Sequence, residues 1–320
     1  MRVKLLPIAA VLAPLFVAMC IPSVNAQQGN SEPLDVKVPG LSEYAAPQQS
    51  GPLALGDAGK VTLSARLTEE SDEIPRGLVW RVFTPEPGPD GTLPLVASSE
   101  GGTSVFALSP GSYLVHAAYG RAGATKRITV GRDTKQESLV LDAGGLKLDA
   151  VLSGGIRIPP KRLRFSIYEE HPDATGERPL IVPDVRAGSV VRLNAGTYHV
   201  VSTYGSVNAV IRSDIRVEAG ELTEATVEHR AAQLTMKLVR EPGGEAIADT
   251  AWSIFTETGE IVRETVGAYA SMVLAEGQYT VVAKNRDRIY QRDFIVAPGR
   301  NRDVELLPDD LVEAPQDFVE

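Results

Sequence analysis

Four histidines are the residues of this sequence best suited to metal binding or acid–base catalysis: His116, His171, His199 and His229. No two of them have the close spacing with which a helix or hairpin holds zinc. None recurs at an equivalent place in the repeats described below. The only cysteine is Cys20, near the N-terminus. The sequence therefore predicts no metal site and no cofactor.

Motifs for nucleophilic catalysis and phosphate binding are also missing from the sequence. It contains no Gly-x-Ser-x-Gly elbow, no phosphate-binding Gly-x-x-x-x-Gly-Lys-Ser/Thr loop and no dinucleotide fingerprint. The adjacent acids Glu169-Glu170 and Asp309-Asp310 are typical of solvated polar segments, and Gly144-Gly145 is typical of a turn. We therefore predict no catalytic residues and a protein that is not an enzyme.

The elements that would position any site recur three times. The pattern Leu-x-x-Gly-x-Tyr-x-Val occupies residues 108–115, 193–200 and 274–281. Upstream of each copy, a segment with alternating apolar residues carries a large aromatic ring. These glycines, tyrosines and rings are Gly111, Tyr113, Gly196, Tyr198, Gly277, Tyr279, Trp80, Phe165 and Trp252.

Period and composition together predict the fold class. Each copy spans about 80 residues, which is enough to bury a core of its own. Several short strands per copy, turns rich in Gly, Pro, Asp and Asn, and little helical periodicity indicate an all-β protein. We expect three tandem antiparallel β-sandwich repeats at residues 58–143, 144–230 and 231–310, joined by short connections near residues 142–145 and 228–232 into a semi-rigid rod.

The recurring glycine and tyrosine have a structural interpretation. A glycine two residues before the tyrosine can adopt positive φ and turn the chain sharply into a strand. The tyrosine ring would then face the core while its hydroxyl bonds backbone nearby, as in the tyrosine corner of immunoglobulin-like sandwiches. A carbohydrate-binding platform is the alternative role for the large rings, but their inward alternation favours the core.

The Leu-x-x-Gly-x-Tyr-x-Val element resembles a strand of prealbumin-like modules, which include carboxypeptidase regulatory-like domains and CnaB-type pilin repeats. Residues 116–127 and 197–205 also resemble exported envelope proteins of rhizobial-type alphaproteobacteria. The resemblance covers residues 59–310 and implies a fold without an activity. CnaB modules often carry a Lys–Asn isopeptide bond. We predict none here, because alternation points Lys147 and Lys237 outward and the closing strands lack a matching asparagine.

The two ends of the chain differ from the repeats. Residues 1–26 are typical of a secretory signal peptide, with Arg2 and Lys4 before an apolar run and a small-residue cleavage site at Ala26. The cysteine lies within this leader, where lipidation is an open but disfavoured alternative. Residues 27–57 have the composition of a flexible linker, and residues 311–320 form an acidic tail.

The net charge of the chain limits the classes of molecule that it can bind. The chain carries 32 basic and 41 acidic residues, a net charge of −9, and removal of the leader makes this −11. An acidic protein of this kind is a poor partner for nucleic acid, and the mature chain holds no further apolar run long enough to span a bilayer. One basic cluster stands out as a contact surface for an anionic partner: Arg121, Lys126, Arg127 and Arg132. Protection of an exposed strand edge is the alternative role for these charges.

A second surface feature is Tyr119-Gly120, which recurs as Tyr204-Gly205 but is replaced by Asn285-Arg286 in the third copy. Alternation favours core positions for these tyrosines over a shared contact patch. Taken together, the sequence predicts a binding or spacer scaffold of the periplasm or cell envelope, with an unidentified envelope protein or polysaccharide as partner. A secreted adhesin or host-contact protein is one alternative, and an enzyme with a site assembled between repeats is another.

Overall fold

The computed structural model describes residues 58–312, which form β-strands throughout apart from loops and two short 3₁₀ helices, Pro160–Arg162 and Pro308–Asp310. No helix in this range is long and apolar enough to cross a membrane. In chain order the strands are β1 Gly59–Arg66, β2 Leu78–Phe83, β3 Leu95–Gly101, β4 Ser104–Leu108, β5 Gly111–Tyr119, β6 Ala122–Val130, β7 Lys135–Val140, β8 Ala143–Leu152, β9 Ile156–Arg157, β10 Leu163–Glu169, β11 Leu180–Val185, β12 Val190–Asn194, β13 Gly196–Tyr204, β14 Val210–Val217, β15 Leu222–His229, β16 Ala231–Leu238, β17 Thr250–Thr256, β18 Ile261–Gly267, β19 Tyr269–Ala275, β20 Gly277–Asn285, β21 Arg288–Val296, β22 Arg302–Leu306 and β23 Leu311–Val312.

The strands form sheets that face each other in pairs. The first pair consists of sheets β4-β1-β7 and β3-β2-β5-β6, the second of β12-β8-β15 and β11-β10-β13-β14, and the third of β19-β16-β22 and β18-β17-β20-β21-β23. Each pair encloses a hydrophobic cluster built from both of its sheets. The predicted all-β sandwich class is therefore confirmed. The repeat boundaries given above remain a prediction.

One pairing in each smaller sheet is parallel, which the sequence analysis did not anticipate. Strand β1 runs parallel to β7, β8 to β15 and β16 to β22. In each case the chain leaves the larger sheet at a glycine turn and crosses to the smaller one. A parallel pair needs such a crossover connection, and here the passage through the opposite sheet provides it.

The large aromatic residues fill the space between paired sheets. Trp80, Phe165 and Trp252 are each at most 1% exposed. The indole N–H of Trp80 donates to the carbonyl of Gly102 (2.7 Å), and that of Trp252 donates to the carbonyl of Gly267 (3.0 Å). Both buried donors are thus satisfied, as a buried indole requires. The alternative role of these rings as a carbohydrate platform is wrong, since a ligand cannot reach them.

The connections between sheet pairs are shorter than expected. Only Leu141 and Asp142 separate β7 from β8, and only Arg230 separates β15 from β16. The prediction of a turn at Gly144-Gly145 is wrong, because both glycines lie within β8. A Cβ at Gly144 would stand 2.1 Å from the carbonyl oxygen of Glu218, so this position needs glycine for close backbone approach.

The start of the predicted acidic tail also belongs to the fold. Leu311 and Val312 form β23, which pairs with β21. A carboxylate oxygen of Asp310 accepts a hydrogen bond from the backbone N–H of Leu307 (2.7 Å). The signal peptide at 1–26, the linker at 27–57 and the rest of the tail at 313–320 lie outside the described residues.

Candidate functional site

The recurring tyrosines form three equivalent corners. Each hydroxyl donates to the carbonyl oxygen four residues earlier, with donor–acceptor distances of 2.9 Å for Tyr113, 2.8 Å for Tyr198 and 3.0 Å for Tyr279. Burial raises the pKa of all three hydroxyls. These groups hold the chain at the start of a strand and are not available as acids or bases near neutral pH.

The glycines before these tyrosines do not all adopt the same conformation. Gly196 and Gly277 have φ of +153° and +154°, a region that L-residues rarely occupy. Gly111 has no positive φ, so the predicted turn conformation is absent there. A Cβ at Gly111 would meet the Tyr113 ring at an ordinary 3.7 Å. The first corner therefore does not depend on glycine for its backbone conformation.

The four histidines lie in separate environments. His116 is 2% exposed and its Nδ1 lies 2.9 Å from the Thr125 hydroxyl. His199 pairs with Asp214 (2.7 Å) on the outer face, and His171 lies 3.7 Å from Glu170 on an exposed loop. Within residues 58–312 no three potential ligands converge on one point that could hold a metal ion.

One pair of side chains has the composition of a nucleophile and its base. The Ser202 hydroxyl lies 2.8 Å from Nε2 of His229, and both residues are 1% exposed. The His229 ring also makes an edge contact with Tyr204, with centroids 5.9 Å apart. Burial lowers the pKa of His229 to about 4, so the ring is neutral at pH 7. Because no substrate can reach this pair, it stabilises the core as a satisfied polar contact.

The basic residues singled out in the sequence do not form one surface. Lys126 faces inward at the open edge of the first sheet pair, where its ammonium contacts Glu137 (2.7 Å). Arg127 points to the opposite face of the same strand. Arg121 and Arg132 lie beyond its two ends. Strand alternation and length separate four charges that are close in sequence.

A different set of basic residues does converge. Two adjoining cavities, of about 380 and 420 Å³, share Lys161 and Arg164 in their walls. Arg162 lines the first cavity and Arg186 lines the second, while no acidic residue lines either one. Its cations come from the 3₁₀ turn, from the start of β10 and from the chain after β11. The run Lys161-Arg162-Leu163-Arg164 was a signal in the sequence that the analysis passed over, whereas Arg186 joins these residues only in the fold.

Consecutive sheet pairs meet at two joints, the first at Tyr119-Gly120 and the second at Tyr204-Gly205. At each joint the later sheet pair contacts the Tyr-Gly dipeptide of the earlier one. The Arg192 guanidinium lies 4.3 Å from the centroid of the Tyr119 ring. The backbone carbonyl of Arg192 accepts a hydrogen bond from the N–H of Arg121 (3.0 Å). At the next joint, a Cβ at Gly205 would stand 2.9 Å from Cβ of Val273. Arg192 and Val273 are equivalent residues, each one position before the leucine of the repeated pattern.

Asparagine amides bind across the same two joints. Asn194 accepts the N–H of Gly123 (3.2 Å) and donates to the carbonyls of Gly123 (3.1 Å) and Leu141 (2.7 Å). Asn208 accepts the N–H of Ala275 (3.0 Å) and donates to the Tyr279 hydroxyl (2.9 Å). The amide comes from the later sheet pair at the first joint and from the earlier one at the second. Sequence analysis identified neither residue, because neither recurs.

Comparison with known proteins gives one family match. Residues 233–308 match the family model of the Rhizobiales growth-associated tandem repeat domain. The predicted resemblance to rhizobial-type tandem repeat proteins is thereby confirmed. No curated protein matches the sequence.

Among solved structures, the Bacillus anthracis TIE protein is similar at 19% identity and a TM-score of 0.24, over 78% of this chain and 50% of that one. This chain thus spans half the length of that protein. The minor pilin GBS52 of Streptococcus agalactiae is similar at 13% identity and a TM-score of 0.30, over 53% and 95% of the two chains. The major pilin BcpA of Bacillus cereus gives 10% identity and a TM-score of 0.21 over 78% and 99%. Similarity at these levels carries no argument about function.

Proposed function

We propose that the protein is a non-enzymatic, exported scaffold of the cell envelope, in which three sandwich repeats at 58–143, 144–230 and 231–310 are fixed end to end. The observation that carries this proposal is the way the two joints are built. Each combines a connection of one or two residues with main-chain and amide hydrogen bonds to the next sheet pair. A spacer or presenting scaffold needs such fixed joints, whereas independent domains are usually joined by exposed, flexible linkers.

Main-chain bonds at equivalent positions support the same interpretation. The N–H of Ala195 donates to the carbonyl of Asp142, and the N–H of Glu276 donates to that of Arg230, both at 2.7 Å. Asp142 and Arg230 are themselves the connecting residues. Each connection is therefore bonded to the corner of the following sheet pair, which restricts bending between the two sheet pairs that it joins.

The non-enzymatic part of the proposal rests on how the reactive groups are used. The buried histidines bond neighbouring hydroxyls and the corner tyrosines bond backbone carbonyls. The exposed carboxylates Glu276 and Asp303 form ion pairs with Arg230 and Lys237. The matched family is described as growth-associated. We extend that association to this chain and assign the scaffold to the growing envelope, with the periplasm as its place.

Small-angle X-ray scattering of the mature chain tests the joints. We expect a distance distribution typical of a rigid particle in the wild type, and a broader one in the Asn194→Ala/Asn208→Ala double variant. Asn285→Ala is the matched control, because this amide bonds only to Ala248, Asp249 and Thr250 of its own sheet pair. A wild type that scatters as freely jointed beads would refute the scaffold, and so would a control that broadens as much as the double variant.

Cell fractionation tests the location. A periplasmic scaffold is recovered in the periplasmic or envelope fraction, whereas a secreted adhesin is recovered from the medium. Recovery of most of the mature chain from the medium would contradict the proposed place.

A further inference from the structure

We infer that the two adjoining basic cavities form a binding site for an anionic polysaccharide strand. This inference deepens the proposed scaffold function and rests on it, because it assigns the ligand that the scaffold would hold. The cavities lie on either side of the Pro160–Arg162 turn and share Lys161 and Arg164. One of them also reaches Gln233 and Ser271 of the third sheet pair.

The local charge is opposite to that of the whole chain. The full sequence carries a net charge of −9, yet four cationic side chains and no acid line these cavities. Among residues 58–312, the exposed side chains of Lys161 and Arg186 form no ion pair, so their charges are available to a ligand. Arg164 pairs with Asp184 (2.8 Å), which orients its guanidinium without closing the cavity. An acidic protein repels polyanions at long range, and a local group of cations in a concave site makes binding selective.

Positions of the cations indicate an extended ligand. A single small anion would occupy one cavity and leave the other empty. Lys161 and Arg164 stand between the two cavities, with Arg162 on one side and Arg186 on the other. A strand that carries an anionic group in successive units could place one group in each cavity. Arginine suits this role because its planar guanidinium binds carboxylate or phosphate oxygens in pairs.

The uncharged lining indicates carbohydrate. The hydroxyls of Ser189 in one cavity and Ser206 in the other match the hydroxyls of a sugar ring. The amide of Gln233 bonds Arg162 and Ser271, and so holds the Arg162 guanidinium in the wall of the cavity. No aromatic ring lines either cavity, which disfavours single-stranded nucleic acid, because that ligand needs rings on which bases stack. The apolar residues Met272 and Val273 in the lining are half-buried and buried, so they do not offer exposed anchors for a membrane surface.

An acidic peptide would also present carboxylate groups to these cations, so the experiment distinguishes an anionic polysaccharide from an acidic peptide. Calorimetric titration of the mature chain uses hexagalacturonate as the anionic sugar, maltohexaose as its neutral counterpart and polyglutamate as the peptide. We expect hexagalacturonate to bind at about 20 mM salt and to weaken at about 0.5 M. Maltohexaose should not bind. Polyglutamate binding as tight as that of hexagalacturonate would overturn the assignment to a polysaccharide.

Charge reversal locates the site. Lys161→Glu/Arg186→Glu should weaken hexagalacturonate binding about tenfold or more. The matched control, Arg121→Glu/Arg127→Glu, makes the same change in net charge on the first sheet pair and should leave binding within about twofold. Lys161→Gln/Arg186→Gln, which adds no negative charge, guards against misfolding and should also weaken binding. Equal losses in the two charge-reversal variants, or no binding by the wild type, would overturn the site.

Scattering of the same samples keeps the two proposals apart. A rigid wild type that fails to bind hexagalacturonate rejects the polysaccharide site and leaves the scaffold standing. A flexible wild type rejects the scaffold, and with it the inference that depends on it.

Discussion

Mild acid should destabilise the first sheet pair through His116. Its ring is 2% exposed and bonded to Thr125. Burial, with a smaller contribution from the nearby Arg81 guanidinium, lowers the pKa of His116 to about 4. The folded state therefore keeps the ring neutral down to about pH 4, whereas the unfolded chain takes up a proton near pH 6.5.

The sign and size of the change in unfolding free energy follow from this difference in proton uptake between the folded and unfolded states. Between pH 6.5 and 4 the unfolded state binds more protons, so the free energy of unfolding falls as the pH falls, and above pH 6.5 it is constant. The slope approaches about 1.4 kcal/mol per pH unit, and the loss between pH 7 and pH 5 is roughly 2 kcal/mol. The ion-paired Glu137 has a pKa lowered below its usual 4.5 and loses its contribution only at still lower pH.

Two tryptophans allow the measurement to be made separately in two sheet pairs. Trp80 lies in the hydrophobic cluster of the first sheet pair, on β2 next to the β5 strand that carries His116, and Trp252 lies in that of the third pair, which contains no histidine. In the Trp252→Phe variant, tryptophan fluorescence reports urea unfolding of the first sheet pair, and in Trp80→Phe it reports the third. We expect the midpoint reported by Trp80 to fall from pH 7 to pH 5 and that reported by Trp252 to change little.

A further variant assigns the effect to the ring. His116→Gln keeps a polar group that can bond Thr125 but cannot take up a proton, so the midpoint reported by Trp80 should lose most of its dependence on pH. Equal shifts for the two tryptophans, or an unchanged slope in His116→Gln, would refute the assignment of the acid sensitivity to this buried ring.

Glycine substitutions test the joint and the corner. Gly205 (φ +76°) abuts Val273, whereas a Cβ at Gly259 (φ +82°) would have no neighbouring atom within 4 Å. Gly205→Ala should therefore lower the melting temperature more than Gly259→Ala, since both carry the roughly 1–2 kcal/mol cost of positive φ and only the first adds a clash. Equal shifts would contradict close packing at the joint. Gly196→Val should cost more unfolding free energy in urea than Gly111→Val, because only Gly196 requires an unusual φ, and the opposite order would contradict the corner geometry.

Much of the fold could be predicted because local rules and global packing agree. Alternation identified the strands that carry Trp80, Phe165 and Trp252, and the thrice-repeated pattern identified the corners. The parallel pairings of β7, β15 and β22 were missed, since strand direction depends on which sheet a crossing chain joins and leaves little trace in local sequence. The turn predicted at Gly144 was wrong for a related reason. A glycine required by a neighbouring backbone looks the same in sequence as one required by a turn.

The candidate site was less predictable than the fold. The basic cluster identified in the sequence is divided by strand alternation, while Lys161 and Arg186 are 25 residues apart and meet only in the folded chain. Charges on loops have no periodicity to reveal which face they share. The two asparagines that bond across the joints were also not predictable from the sequence. Asn194 belongs to the later sheet pair of its joint and Asn208 to the earlier one, so the two do not occupy equivalent positions in the repeat.

The Tyr-Gly dipeptides connect these observations. In the sequence they occur twice and then give way to Asn285-Arg286, a difference that core packing alone does not explain. In the fold, a Cβ at Gly120 would stand 3.0 Å from Cβ of Arg192 and one at Gly205 would stand 2.9 Å from Cβ of Val273, so both positions are crowded by the following sheet pair. After Asn285 no later sheet pair approaches among the described residues, and the asparagine amide instead bonds Ala248, Asp249 and Thr250 of its own sheet pair. Within residues 58–312 the glycine is present at the two places where another sheet pair packs against the dipeptide, which makes the dipeptide a sequence signature of the joint.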